Sequence, residues 1–345
     1  MSIHLWFNHN FSSLFNICKL IRQGIQDYGF PGDLKILVSH SNPEFVAGLL
    51  ADKFFLDFDP TPDFSYVDFV KKTCLSEKVN IFWPSRGAFA ISEVLEKFRE
   101  LGVHVILPAD FKSLKILNDK GEFYQRARQL GLDLPDYRRV TTFQEFQDAV
   151  ADFLNSGKTV CFKPTTSLYG LGFKIIDNRK NPLDAFLKSE STRVDLATAK
   201  SILDVPDTKF PSLLVMEYLP GPEYSIDCLA KDGTILALTI RKKPYLVGGA
   251  ETLVRDLFLA SICQKIASEF RLNYLFNIQF REGNQKKYLL ELNPRLSGGL
   301  YFSCLGGINY PYWALRMLLA QNETLEIPEQ SYDIKVNQAY EPFIY

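Results

Sequence analysis

The stretch Leu289-Leu290-Glu291-Leu292-Asn293-Pro294-Arg295-Leu296-Ser297-Gly298-Gly299 is the most informative part of the chain. Its apolar start reads as a buried strand, and the period-2 geometry of a strand puts Glu291, Asn293 and Arg295 on one side. Pro294 ends the ladder, and the glycines allow backbone to come close to a ligand. A carboxylate beside an amide oxygen offers hard ligands for Mg²⁺, and the nearby guanidinium suits a phosphate. Upstream, Asn277-Ile278-Gln279-Phe280 reads as the antiparallel neighbour and adds Gln279 as a further oxygen donor. Taken alone, the stretch fits equally well a strand end whose polar groups cap a turn.

Two earlier segments carry related chemistry. Val160-Cys161-Phe162-Lys163-Pro164 is an apolar strand that delivers one lysine to its end, followed by TTSLYGLG, a loop with Gly170 and Gly172. A buried-stem lysine beside a backbone cradle suits a phosphate, although an exposed lysine before a turn has the same pattern. Leu214 to Asp227 reads as a strand, a Pro220-Gly221-Pro222 bend and a returning strand. Free backbone at such a bend can meet an adenine edge, and Glu223 can accept from ribose hydroxyls; a hairpin with solvated acids is the plainer reading.

Composition narrows the function class. Lys+Arg 39 against Asp+Glu 40 leaves a formal charge of −1, which opposes an electrostatically driven nucleic-acid binder. The 46% hydrophobic content opposes disorder. No uncharged apolar run approaches the roughly 20 residues that span a bilayer, and MSIHLWFNHNFSS lacks the features of a signal peptide. The expectation is a cytoplasmic protein that needs neither nucleic acid nor membrane. The four histidines all lie in the first third and the six cysteines form no C-x-x-C pair, so a zinc site, a redox dithiol or a His-based triad is not signalled. Buried, reduced thiols are expected.

Residues 1–108 alternate short strands with helices, which predicts right-handed βαβ crossovers and a parallel sheet covered on both faces. The first turn, FNHNFSSLF, has no glycine, so this Rossmann-like lobe is not expected to hold a dinucleotide; Ser12 and Ser13 read as a helix cap. Downstream, Asp119 and Thr142 are expected to cap helices, Arg86–Leu101 and Thr252–Phe270 to form single helices, and residues from Gln321 onward to form a tail. The turns at Lys231-Asp232-Gly233 and Gly283-Asn284-Gln285 predict hairpins.

In their order along the chain, Lys120, Lys163, the Glu217–Glu223 bend, Gln279, Glu291 and Asn293 resemble the ATP-grasp superfamily, in particular its carbamoyl-phosphate-synthase-like and biotin-carboxylase-like ligases. The similarity covers about the whole chain, and the ELNPR-x-SGG string is its specific part. It implies an α/β protein, α+β in its C-terminal lobes: an ATP-grasp fold behind an N-terminal Rossmann-like preATP-grasp domain. The implied division is 1–108 for that domain, 109–213 for the small lid-bearing lobe, 214–325 for the catalytic lobe and 326–345 for a tail. Position by position, the resemblance implies that Lys120 and Lys163 contact ATP phosphates. It implies that backbone at Glu217, Tyr218 and Leu219 meets adenine, with Leu290 on the ring and Glu223 on the ribose. Gln279, Glu291 and Asn293 would ligate two Mg²⁺ (or Mn²⁺) ions, and Arg295 would stabilise developing charge. Arg241 would be a second anion contact, with a solvated Arg-Lys-Lys cluster as the alternative. The phosphate loop departs from the pattern, with Leu168 and Tyr169 where glycine is common, and Gln279 replaces an acid.

The implied activity is ATP-dependent joining of a small-molecule or amino-acid carboxylate to an amine (or thiol) through an acyl phosphate. An enzyme nucleophile is not required, which agrees with the scarcity of histidine. The resemblance allows a homodimer, and Arg86 is a candidate substrate-carboxylate contact. The alternatives are a nucleotide-binding regulatory protein that has lost turnover and, against the glycine-free turn, an NAD-dependent oxidoreductase.

Overall fold

The computed structural model describes residues 2–58, 65–167, 171–179, 183, 192–205, 209–244, 248–320 and 325–339. The expected turns at Pro60 and Pro62, and Leu168, Tyr169 and Gly170 of the expected phosphate loop, lie outside the described residues. The chain divides into two compact units. The first comprises residues 1–115, 224–278 and 292–345, and the second comprises 116–223 and 279–291.

The N-terminal part of the first unit runs β1 (Ser2–Asn8), α1 (Leu14–Tyr28), β2 (Asp33–His40), a 3₁₀ turn (Val46–Leu50), β3 (Lys53–Leu56), α2 (Tyr66–Ser76), β4 (Ile81–Trp83), α3 (Ala88–Glu93), α4 (Leu95–Glu100) and β5 (His104–Val105). The strands pair in parallel in the order β3-β2-β1-β4-β5, as the alternating pattern predicts. Strand β1 shows why both faces must be covered. Leu5 and Phe7 enter one apolar cluster, and Trp6 enters another on the opposite face, stacked on Phe82 at 4.5 Å. Two local expectations change. Ser13 precedes α1 without a side-chain cap bond. The helix expected over Arg86–Leu101 is broken at Val94, whose φ of −117° is not helical; just before the break the Ser92 hydroxyl turns back to the Phe89 carbonyl at 2.6 Å.

Helix α5 (Phe111–Asn118) leads into the second unit, which holds α6 (Lys120–Gln129), β6 (Tyr137–Val140), α7 (Phe143–Asn155), β7 (Val160–Pro164), β8 (Lys174–Ile176), β9 (Arg193–Val194), α8 (Leu196–Leu203) and β10 (Leu213–Glu217). The sheet order is β6-β10-β7-β8-β9. Asp119 caps α6 by accepting from the Gly121 and Glu122 amides, and Thr142 and Glu145 form a complete capping box on α7. Val160, Phe162, Leu213 and Val215 face an apolar core shared with Phe146, Val150 and Phe153 of α7. The alternate residues of β7 and β10 therefore face the other way, and the register sets Cys161 opposite Met216 and Lys163 opposite Leu214.

The remaining elements are β11 (Glu223–Lys231), β12 (Thr234–Lys242), β13 (Glu251–Val254), α9 (Leu257–Glu269), β14 (Tyr274–Gly283), β15 (Lys286–Asn293), α10 (Leu300–Cys304), α11 (Tyr310–Leu319) and β16 (Ile334–Val336), with sheet order β15-β14-β11-β12-β13-β16. Both hairpin turns form: Asp232 and Gly233 have φ of 48° and 83°, and Asn284 and Gln285 have 48° and 61°. The helix expected from Thr252 is instead a strand followed by a helix. Thr252 and Val254 pair with β12, and the Asp256 side chain starts α9 by accepting from the Leu259 amide. This shifts the buried stripe to Leu259, Cys263 and Ile266, leaving Leu257 and Phe258 71% and 56% exposed. The expected tail also contributes β16, which pairs with β13. Within the first unit, α11 packs on α1, with Tyr312 donating to the Gly29 carbonyl at 2.7 Å and the Asn309 amide to that of Leu20 at 2.7 Å.

All six cysteines are buried and free. Among the described residues, no helix is long and apolar enough to cross a membrane.

Candidate functional site

A cavity of about 200 Å³ lies within the second unit. Eight of the residues singled out from sequence line it: Lys163, Glu217, Tyr218, Leu219, Glu223, Gln279, Leu290 and Glu291. They come from four separate segments, so their convergence is a property of the fold and not of sequence proximity.

Part of the cavity lining is apolar. Cys161, Phe173, Met216, Leu219 and Leu290 form walls suited to a flat ring. Burial pushes the Cys161 thiol up to about 12, so it is a neutral wall and not a thiolate nucleophile. The backbone of the Glu217–Leu219 bend is partly committed. The Glu217 amide donates to the Asp136 carbonyl at 2.9 Å and the Tyr218 amide to Thr159 at 2.8 Å. Among the described residues, no acceptor meets the Leu219 N–H. The bend thus leaves the Leu219 donor for a base edge, while the Tyr218 amide is already used.

Another part of the lining is charged. Lys163 is only 8% exposed. Its ammonium donates to the Leu290 carbonyl at 3.2 Å, lies 3.8 Å from the Glu291 carboxylate and sits 5.6 Å from the centre of the Tyr124 ring. Tyr124, buried on α6, donates its hydroxyl to the same Leu290 carbonyl at 2.7 Å. Burial holds that phenol well above its usual range, with the Glu291 charge adding to the shift. The lysine is therefore held by a carbonyl, a carboxylate and a ring face, and it faces the cavity as a fixed cation. Gln279 lines the cavity on β14, and its amide has no hydrogen-bond partner among the described residues. A carboxylate oxygen and an amide oxygen on one wall are hard donors of the kind Mg²⁺ takes, so these residues fit that ion.

The other four expected residues lie elsewhere. The Lys120 ammonium binds the Ser167 carbonyl at 3.0 Å and hydroxyl at 3.2 Å. Asn293 and Arg295 belong to the first unit, where the Arg295 guanidinium donates to the Asn293 amide oxygen at 3.1 Å. Arg241 is 2% exposed, so the solvated-cluster alternative does not apply to it. Its guanidinium meets Asp227 at 3.1 Å, Glu251 at 2.5 Å, Ser225 and Ser303 at 3.0 Å and Ser297 at 3.4 Å. A ligand anion would have to displace one of those carboxylates. A Cβ on Gly299 would lie 2.4 Å from this guanidinium, which explains the glycine.

Sequence reading missed Arg281, whose REG context resembles a solvated hairpin end. Its position two residues after Gln279 on one strand is the signal that would have found it. Phe173 and Met216 carried no signal beyond being apolar.

Comparison with known proteins places this geometry. The family profile described as "ATP-grasp in the biosynthetic pathway with Ter operon" matches residues 209–342. The arginine-specific carbamoyl phosphate synthase large chain of Bacillus subtilis is 23% identical over 292 residues. That match covers 79% of this chain and 25% of the relative, so the chain spans a quarter of that protein's length. The L-amino acid ligase of Bacillus licheniformis superposes with a TM-score of 0.65 at 16% identity, covering 96% of this chain and 78% of the ligase.

Residues 209–342 match an ATP-grasp family profile, and the chain as a whole has the ATP-grasp fold.

Two further ATP-grasp structures were solved with nucleotide. The biotin carboxylase domain of the Hydrogenobacter thermophilus 2-oxoglutarate carboxylase, with MgADP and bicarbonate, has a TM-score of 0.64 at 16% identity over 97% of this chain and 72% of its own. The N5-carboxyaminoimidazole synthetase of Staphylococcus aureus, with ADP, has 0.65 at 14% identity over 94% and 79%. At these identities the structural likeness establishes the ATP-grasp fold. The first expectation from sequence, an ATP-grasp fold in a mixed α/β chain, is correct.

Proposed function

We propose that this ATP-grasp chain is an ATP-dependent ligase that joins a small-molecule or amino-acid carboxylate to an amine, or to a thiol, through an acyl phosphate. The observation that carries the proposal is the cavity of the second unit, whose lining combines apolar side chains with the Lys163–Glu291 pair. The apolar side chains suit a purine base and the fixed ammonium suits a polyphosphate.

In this reading the Leu219 N–H and the Glu217 carbonyl address the base, Leu290 packs on the ring and Glu223 accepts from the ribose. Lys163 neutralises phosphate charge, and Lys120, bound to Ser167, is a second phosphate contact. Gln279 and Glu291 would hold Mg²⁺, which when bound supplies charge neutralisation between phosphate oxygens. Asn293 and Arg295 lie in the first unit. Their assignments as metal ligand and as charge stabiliser rest on the family resemblance and form part of the proposal. Arg241 contributes through the Ser297–Ser303 segment it ties down.

The chemistry asks little more of the protein. A carboxylate oxygen attacks the γ-phosphorus and ADP leaves. The amine then attacks the acyl carbon, the C–O bond breaks and phosphate leaves with that oxygen. Alignment and charge neutralisation supply the rate, and a covering loop keeps water from hydrolysing the intermediate. A second copy of the chain is compatible with this scheme, and the site needs no nucleic acid or membrane.

The test is a screen for ADP release with Mg-ATP and a panel of amino acids and small carboxylates, with and without amine acceptors. ADP formation that requires one carboxylate and one acceptor is the expected result. ATP binding without ADP formation across the panel would assign a regulatory role instead.

A further inference from the structure

We propose that Arg281 is a positioning residue for nucleotide-base recognition, acting as a clamp that fixes the Tyr218–Pro222 bend against the end of β14. The inference rests on the ATP reading proposed above.

The contacts form one small zip. The Arg281 Nε donates to the Gly221 carbonyl at 3.1 Å, and an Nη donates to the Tyr218 hydroxyl at 3.3 Å. The guanidinium lies 5.1 Å from the centre of the Tyr218 ring, a cation–π distance. Backbone bonds continue the contact: the Gly221 amide donates to the Glu282 carbonyl at 3.0 Å, and the Glu282 amide donates to the Pro222 carbonyl at 3.0 Å. The approach is so close that a Cβ on Gly221 would lie 2.3 Å from the Glu282 carbonyl oxygen.

This geometry has a chemical consequence. Pro220 and Pro222 cannot donate backbone bonds, so the bend has few ways to hold itself. Reading a purine edge needs a donor and an acceptor at a fixed spacing, here the Leu219 N–H and the Glu217 carbonyl. The bend carries both, and Arg281 grips it at two points while also lining the cavity. Arg281 thus sets the recognition of the base, whereas Lys163 sets that of the phosphates. Loss of the clamp should cost affinity for the base and spare affinity for the phosphates.

The experiment compares wild type with Arg281→Ala, Arg281→Lys and Gly221→Ala. Titration with MgADP reads base plus phosphates, and titration with magnesium tripolyphosphate reads the phosphates alone. Amide exchange of the unliganded proteins reads the zip without any nucleotide. Arg281→Ala is expected to weaken MgADP by about tenfold or more, the scale of a lost charge-assisted hydrogen bond. Tripolyphosphate affinity should change by less than about twofold, and the Gly221 and Glu282 amides should exchange faster. Gly221→Ala should reproduce this pattern, and Arg281→Lys, which keeps one donor, should recover part of the affinity.

Equal weakening toward both ligands would overturn the clamp and make Arg281 an ordinary phosphate cation. Unchanged MgADP affinity with unchanged exchange would also overturn it, while leaving the nucleotide reading in place. Failure of the wild type to bind MgADP would remove the nucleotide reading and this inference together.

Discussion

At the scale of single residues, Lys163 and Cys161 show how one strand supplies both a charged and a neutral part of a cavity lining. They sit two apart on β7 and share a face, yet their surroundings differ. Lys163 has a carbonyl, a carboxylate and a ring around its ammonium; Cys161 is buried, with its thiol 3.8 Å from the Glu217 carbonyl. Replacing Lys163 with Met removes the fixed cation while keeping the packing volume, and should lower ADP production by about 10²-fold or more, the usual cost of one preorganised electrostatic contact. An unimpaired Lys163→Met enzyme would show that the ammonium does not face the reacting phosphates. Burial pushes the Cys18, Cys74 and Cys161 thiols up to about 12, so at pH 8 each is almost wholly protonated. A disulfide-exchange reagent at that pH should label none of them until denaturant is added; fast labelling of the native protein would contradict their assignment as inert walls.

Caps and edge networks decide much at the scale of elements. Thr142 completes the capping box of α7, whose apolar face covers the core behind β7. Thr142→Ala should cost about 1 kcal/mol of stability, read as a lowered denaturation midpoint, without altering MgADP affinity. At the β8–β9 edge, Arg179 bonded to Asp177 holds that carboxyl well below the usual range, with Arg193 assisting. The folded value is below the unfolded one of about 4. The stabilisation is therefore present above about pH 4 and is lost as pH falls toward the folded value. Asp177→Asn should be less acid-sensitive than wild type in a comparison of denaturation midpoints at pH 7 and pH 3; equal sensitivity would place the acid response elsewhere. Elements with a strong local pattern were legible in sequence. Strand Leu213–Glu217 forms over the expected residues, the Asp119 and Thr142 caps form, and both hairpin turns adopt positive φ. The failures share a cause. The Thr252–Phe270 stretch has helical spacing throughout, but pairing of Thr252 and Val254 with β12 overrides it, and the pairing partner is distant in sequence. Strand β16 was illegible for the same reason, since three residues in a polar tail become a strand only when β13 offers an edge. Arg281 was not legible as a site residue because its partners, Tyr218 and Gly221, lie some 60 positions away.

For the whole molecule, three sheets from one chain supply different parts of an ATP-grasp protein. The parallel sheet has no glycine in its first turn, and the five-stranded antiparallel-containing sheet carries Lys163. The strand pair β14–β15 brings Gln279, Arg281, Leu290 and Glu291 to the same cavity. A near-zero net charge is consistent with this division, because a few fixed cations and hard oxygen donors do local work that no global field is needed for. Of the ELNPR string, Glu291 lines the cavity with Leu290 before it, and the fold rather than the sequence brings them beside β7 and the Pro-Gly-Pro bend. Glu291→Ala should abolish ATP turnover with every substrate pair that supports it in the wild type, and retained turnover would remove the proposed metal role. The most direct measurement follows one oxygen atom. With the carboxylate that supports ADP release labelled with ¹⁸O, the released phosphate should carry one labelled oxygen per turnover, because the carboxylate attacks the γ-phosphorus and loses that oxygen when the acceptor displaces phosphate. Unlabelled phosphate, with the carboxylate recovered still carrying both labelled oxygens or its lost oxygen found in water, would contradict the ligase mechanism.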